Sequence, residues 1–232
     1  MKVKQFKYSH DNFGYLVHAN QKGIAIDMGA VDQLMEFIAV QGIEVTHVTN
    51  THNHYDHTPG NQAAVERTGA EFVDCRSFSD GQILEIGGEP LEVLLTPGHT
   101  DDSVCFYHPG FIITGDTLFN ATVGNCFSGD LDGFFHSLKR LMALPVETLI
   151  YCGHDYVKES VNWAAGIEGH TPAIQAYMKK YDPDHVVSTL EDELTVNPYL
   201  RFNEPEMVAR LEKENYPLNT EAERFKAVME VF

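Results

Sequence analysis

Positive charge is scarce in this 232-residue sequence: 16 lysines and arginines face 34 aspartates and glutamates, a formal net charge of −18. Such an envelope repels the phosphates that a nucleic-acid binder must neutralise, so DNA, RNA and anionic membrane surfaces are not expected partners. Long apolar runs are missing too. No stretch approaches the roughly 20 residues that span a bilayer, and Met1-Lys2-Val3-Lys4-Gln5-Phe6 has neither the apolar core nor the cleavage site of a signal peptide. The cytoplasm is the expected compartment. The four cysteines, Cys75, Cys105, Cys126 and Cys152, form no Cys-x-x-Cys pair, which argues against a thiolate zinc site or a disulfide scaffold and leaves buried free thiols. The absence of Gly-x-Ser-x-Gly and of His-Glu-x-x-His argues likewise against a serine hydrolase and a zincin.

What is present is ordinary for a folded chain, with 43% hydrophobic and 22% charged residues. The length allows one globular domain with an appendage, or two small ones. Strand-like runs at Phe13–Val17, Ile24–Ile26 and Val45–Thr49 are joined by a helix over Val31–Val40 that Gly42 closes. A second helix is expected after Gly60-Asn61, then a strand at Glu71–Val73. Two hairpins follow, Ile83–Ile86 with Leu91–Leu95 and Val104–Tyr107 with Phe111–Thr114. A helix over Gly133–Ala143 and a strand at Thr148–Tyr151 complete an α/β pattern. From Val157 onward the sequence reads as helices only, broken by prolines, which sets a boundary near residue 157.

Five of the twelve histidines sit beside aspartates just after predicted strands. The densest group is Thr51-His52-Asn53-His54-Tyr55-Asp56-His57, directly after Val45–Thr49. In an extended loop, residues two apart point the same way, so His52 and His54 can hold one ion while Asp56 and His57 face another. Burying so many imidazole and carboxylate groups is costly without a metal, and these are the usual ligands of borderline divalent ions. Three later strands end in the same manner, at Thr96-Pro97-Gly98-His99-Thr100, Gly115-Asp116-Thr117 and Cys152-Gly153-His154-Asp155-Tyr156. Each is weak alone. Together, ligands at the same ends of several strands converge in one cleft and make two metal sites sharing one carboxylate.

These motifs resemble the metallo-β-lactamase superfamily and, within it, the glyoxalase II (hydroxyacylglutathione hydrolase) family. The His-x-His-x-Asp-His signature stands whole at positions 52 to 57, and Thr-Pro-Gly-His-Thr, Thr-Gly-Asp-Thr-Leu-Phe and Cys-Gly-His-Asp-Tyr are similar to the family's later loops. The resemblance implies an αββα sandwich with a C-terminal helical extension, residues 1–157 forming the catalytic part and 158–232 a substrate-binding part. It assigns His52, His54 and His99 to one ion, Asp56, His57 and His154 to the other, and Asp116 to both. Asp27 matches a family aspartate that orients ligands from beneath. The tail segments Ser188-Thr189-Leu190 and Asn197-Pro198-Tyr199-Leu200-Arg201 are similar to the family's substrate-binding signature. Tyr156, Phe127, Arg201 and Lys226 are the expected substrate contacts.

The implied reaction is hydrolysis of a small acyl-thiol by a hydroxide bridging two divalent ions, with Asp56 orienting the hydroxide. Zinc is the first choice, and a His/Asp donor set also accepts iron or manganese according to availability. The alternatives are a mononuclear-iron persulfide dioxygenase-like enzyme and a superfamily lactonase. Two segments depart from the family pattern. Gly124-Asn125-Cys126-Phe127-Ser128-Gly129-Asp130 has no lysine or arginine where the family carries a cation, and Lys226-Ala227-Val228-Met229 replaces an Arg-x-x-Lys. These departures predict weak recognition of glutathione and a different thiol. The sequence leaves the oligomeric state open.

Overall fold

Apolar residues run almost unbroken along the inner strands and recur every third or fourth position in the helices, so each sheet has two apolar faces and each helix one. A computed structural model, which describes residues 1–232, stacks these faces as helix, sheet, sheet, helix. The first sheet runs β1 (Lys2–Tyr8), β2 (Asn12–Ala19), β3 (Lys22–Ile26), β4 (Glu44–Thr49) and β5 (Glu71–Phe72) in spatial order. The first three strands form an antiparallel meander. Helices α1 (Val31–Gln41) and α2 (Asn61–Thr68) then make the crossovers that bring β4 and β5 in parallel.

In the second sheet β6 (Ile83–Ile86), β7 (Glu89–Leu95), β8 (Val104–His108) and β9 (Phe111–Gly115) are antiparallel neighbours. After a short hairpin of β10 (Leu118–Phe119) and β11 (Thr122–Val123), helix α3 (Leu131–Met142) carries the chain to β12 (Leu149–Cys152), parallel to β9. The tail comprises α4 (Val157–Glu168), α5 (Pro172–Lys180), β13 (Ser188–Thr189), α6 (Leu190–Val196), α7 (Pro205–Leu211) and α8 (Glu221–Val231).

Three apolar clusters hold the layers. Between the sheets, Phe13, Tyr15 and Val17 of β2 meet Val93, Phe106 and Ile113, and α4 and α5 add Val161, Ala165 and Tyr177 at one end. Outside the first sheet, Leu16, Ala25 and Val48 receive Leu34 and Ile38 of α1. Outside the second, Leu94, Cys105 and Ile112 receive Phe134 and Leu138 of α3, with Met207, Leu211 and Phe225 from the tail. Each such side chain contributes about 1.5–3 kcal/mol on burial. The tail helices thus share their cores with both sheets. This is the expected α/β sandwich. No helix is long and apolar enough to cross a membrane.

Strand and helix bounds follow the sequence pattern closely, and Gly42 closes α1 with the left-handed φ of 66° that the pattern asked of it. One expectation needs correction, and one strand lies outside what the sequence pattern shows. The tail is not wholly helical: Ser188–Thr189 pairs antiparallel with β12, because the Asn120 amide and buried Glu193 bind the Ser188 hydroxyl and hold the segment at the sheet edge. The first strand, Lys2–Tyr8, pairs along its whole length with β2, and its charged residues disguise the strand pattern.

Candidate metal centre

Strands β7, β9 and β12 run in one direction within the second sheet, and β3 with β4 in the first, so their C-terminal ends open at one edge of the sandwich. The loops leaving those ends carry all seven candidate ligands. Glycine lets the loops approach closely. At Gly153 an added Cβ would lie 2.1 Å from Asp116 Oδ1 and 2.8 Å from His57 Cε1, and at Gly115, where φ is +50°, a Cβ would lie 2.4 Å from the Thr51 hydroxyl.

The ligand atoms fall into two adjacent groups. His52, His54, His99 and Asp116 form one, Asp56, His57 and His154 the other, with ligand atoms inside each group all within 4.8 Å of one another. His54 Nδ1 lies 3.0 Å from His52 Nε2 and 3.1 Å from His99 Nε2. In the second group His57 Nε2 lies 3.2 Å from His154 Nε2, and His154 Nε2 lies 3.3 Å from Asp56 Oδ2. Asp116 reaches both: its Oδ2 is 3.5 Å from His99 Nε2 and from His154 Nε2, and its Oδ1 is 3.3 Å from His57 Nε2.

The outer nitrogens decide what these groups can bind. His57 Nδ1 lies 3.0 Å from Asp27, His154 Nδ1 3.1 Å from Asp11, and His99 Nδ1 2.9 Å from the Asn125 carbonyl. Each of those partners only accepts, so each ring donates outward and turns a lone pair inward. His52 Nδ1 lies 3.0 Å from the Thr51 hydroxyl, which itself donates to Asp27 over 2.7 Å, so His52 has the same tautomer. Lone pairs therefore face each other at 3.2 Å between His57 Nε2 and His154 Nε2, and Asp116 Oδ1 is buried without a hydrogen-bond donor. Four donors tetrahedral about an ion at 2.0–2.1 Å stand about 3.3 Å apart, so the observed spacings fit a divalent cation in each group.

The electrostatics divide the rings into two pairs. Burial pushes His52 down to about 3, with neighbouring His57 adding to the effect, and burial likewise lowers His99. His57 is also disfavoured as a cation by burial, yet Asp116 and Asp27 together raise it well above the usual imidazole range. Buried Asp116 pays desolvation, but His57, His154 and His52 hold it well below the usual carboxylate range. Asp116 is thus kept anionic and His52 and His99 neutral, the ligand form of each, while His154, like His57, is raised despite its burial, by Asp116 and Asp11.

The structure brings together His52, His54, Asp56, His57, His99, Asp116 and His154, with Asp27 beneath them. Asp27 accepts from the Thr51 amide and hydroxyl, both over 2.7 Å, besides His57. Tyr156 stacks on the His154 ring with centroids 4.9 Å apart, and Phe127, 66% exposed, stands edge-on to His54 and His99. Both line the cleft above the centre. Arg201 and Lys226 do not. Arg201 Nε binds Glu168 at 3.0 and 3.1 Å, because the register of α4 sets that carboxylate against the turn after α6, and Lys226 binds Asp132 in the first turn of α3 at 2.7 Å. Asp11, Asn12 and Thr51 were not singled out from the sequence. Asn12 donates to Asp56 Oδ2 over 3.1 Å, and Asp11 orients a histidine 143 residues away, a pairing with no local signal.

Comparison with known proteins places these features in a family. Residues 76–154 match the model described as metallo-beta-lactamase superfamily, and residues 155–231 match hydroxyacylglutathione hydrolase C-terminus. The chain is 32% identical over 230 residues to hydroxyacylglutathione hydrolase of Idiomarina loihiensis, covering 92% of this chain and 91% of that one. It is 33% identical over 234 residues to the enzyme of the same name from Maricaulis maris, covering 92% and 91%. Among solved structures, ETHE1 from Myxococcus xanthus superposes with a TM-score of 0.71 at 28% identity, covering 99% of this chain and 90% of that one.

Proposed function

The chain belongs to the metallo-β-lactamase superfamily and, within it, to the hydroxyacylglutathione hydrolase (glyoxalase II) family of hydrolases, and from that premise we propose that it hydrolyses a thioester using two divalent ions. The observation that carries the reading is the pair of donor groups with Asp116 between them, at the floor of an open cleft of about 800 Å³. His52, His54 and His99 would hold one ion, Asp56, His57 and His154 the other, and Asp116 both. When bound, such ions acidify water from a pKa of 15.7 to about 7, polarise a carbonyl and stabilise a departing thiolate.

The remaining work falls to the chain's own groups. Asp56, gripped by Asn12 at 3.1 Å and facing the cleft, accepts a hydrogen bond from the attacking water and fixes its direction. Asp27 and Asp11 keep the His57 and His154 rings in register, so nothing at the centre must reorganise as charge develops. Tyr156 and Phe127 flank the cleft at the point where an acyl-thiol would enter. No serine or cysteine nucleophile is required: Cys75, Cys105 and Cys152 are each pushed up to about 12 by burial. We assign catalysis to residues 1–157 and the outer substrate wall to residues 158–232.

The test is metal content by elemental analysis together with thiol release from a thioester. About two ions per chain and metal-dependent thiol release are expected. One iron per chain with oxygen consumption on a persulfide would overturn the reading in favour of a mononuclear dioxygenase.

A further inference from the structure

The cleft over the metal centre has no cation of its own. None of its lining residues is a lysine or arginine, and apart from the candidate ligands its one charged side chain is Glu159. The wall is aromatic instead: Phe119 and Tyr156 pack edge to face at 5.1 Å, and Phe127, Trp163 and Tyr199 continue the surface outward. Trp163 is half exposed at 51%, one helical turn beyond Glu159 on α4. Neighbouring cations are committed elsewhere. Arg201 is held by Glu168, Lys226 by Asp132 and Lys180 by Asp192, and the Lys158 ammonium lies over the Tyr181 ring.

Resting on the thioester reading above, we propose that the cleft selects thioesters whose thiol part carries no carboxylate, an uncharged body with apolar surface laid along the Tyr156–Trp163 face of α4. The physical reason is a balance of two terms. A carboxylate brought here gives up water and meets aromatic faces, which are electronegative, and the Glu159 carboxylate, which repels it. An uncharged chain loses little by desolvation and gains contact with rings whose exposed area is otherwise left in water. Positive charge at the metal centre serves the carbonyl and the thiolate sulfur at the cleft floor, and the outer part of the thiol is left to the aromatic wall. A glutathione body offers two carboxylates to a surface that supplies no donor cation. The missing charged hydrogen bond alone corresponds to roughly a 10- to 150-fold higher KM. The deficit should fall on KM rather than kcat, because these contacts are equal in the ground and transition states.

The experiment uses the metal-loaded enzyme and three thioesters with one acyl group, on pantetheine, on N-acetylcysteamine and on glutathione. The pantetheine ester is expected to have a KM at least about 10-fold below that of the glutathione ester, at similar kcat. Trp163→Ala should raise KM for the pantetheine ester more than for the short N-acetylcysteamine ester, because only the former reaches that far along α4. Glu159→Lys should shift the ratio of the two KM values several-fold towards glutathione, and added salt should reverse that shift. A lower KM for the glutathione ester, or a ratio unmoved by Glu159→Lys, would overturn the inference while leaving the hydrolase intact. No turnover of any of the three by the two-metal enzyme would instead remove the thioester reading on which it rests.

Discussion

Replacing Asp27 by asparagine should loosen one ligand of each ion group at once. Its carboxylate is fully buried and accepts three hydrogen bonds, from the Thr51 amide, the Thr51 hydroxyl and His57 Nδ1, at 2.7, 2.7 and 3.0 Å. Through the Thr51 hydroxyl it also sets the tautomer of His52, so it governs His57 directly and His52 at one remove. An asparagine must point its amide either at the Thr51 N–H or at His57 Nδ1–H, and in both poses a donor meets a donor. A buried donor left unpaired costs about 1–3 kcal/mol. Loss of an orienting partner beneath a metal ligand typically lowers affinity 10- to 100-fold, about 1.4–2.7 kcal/mol per ion. The backbone is not the cause, since Asp27 has φ +51° and asparagine accepts that left-handed conformation nearly as well. Titration with a chromogenic chelator, read alongside circular dichroism, checks it. Both ions should leave the folded variant at chelator concentrations about 10- to 100-fold lower than for the parent. Thr51→Val, which keeps the shape and removes the hydroxyl, should weaken the His52 group alone. Unchanged retention in Asp27→Asn would refute the orienting role, and loss of a single ion would refute the relay through Thr51.

Other outcomes follow from the same geometry. Asp116→Asn should lower the content of both ions by elemental analysis, whereas His52→Ala should chiefly empty the group it shares with His54 and His99; equal losses would argue against a shared Asp116. Gly153→Ala forces a Cβ to within 2.1 Å of Asp116 Oδ1, so thiol release should fall at least about 100-fold in a protein whose melting temperature shows it still folds. Alkylation of the native protein at pH 8 should be confined to half-buried Cys126, because burial pushes Cys75, Cys105 and Cys152 up to about 12, and labelling of any of these by mass spectrometry contradicts the packing. Glu193 is raised by its complete burial, so its folded form prefers the proton and the parent loses stability as pH rises through that raised value. Glu193→Gln escapes this loss, as the Tyr177 and Ser188 hydroxyls can turn to accept from its amide; its melting temperature relative to the parent should therefore rise between pH 5 and pH 8.

The four ligand loops could be read from the sequence because each follows a strand whose apolar pattern is strong, and because four short loops crowd seven costly side chains. A turn fixes the direction of His99 within five residues, and alternation fixes His52 against His54, so local chemistry was enough. The residues that orient those ligands obey no such rule. Asp11 stands at the turn before β2, and nothing near it shows that β2 will lie beside the loop after β12, where an isolated bridge joins Asn12 to His154. Only the sheet order brings them together.

Arginines and lysines of the tail illustrate the opposite difficulty. A cation in an acidic chain has many carboxylates within reach, and the sequence cannot tell which will claim it. Arg201 lies in a segment that resembles a substrate-binding signature, yet the packing of α4 against the turn after α6 sets Glu168 on its Nε. Lys226 lies on α8, whose apolar face packs on α3, and that contact delivers it to Asp132. Both choices are made by helix packing. They leave the cleft wall to the aromatic residues of α4 and of the loop after β11, whose exposure a hydropathy pattern treats as an anomaly. The charge of the cleft is therefore a property of the tertiary structure: an acidic sequence with a metal-binding signature fits either an anion-binding or an aromatic outer wall, and how α4, α6 and α8 pair their charged side chains decides between them.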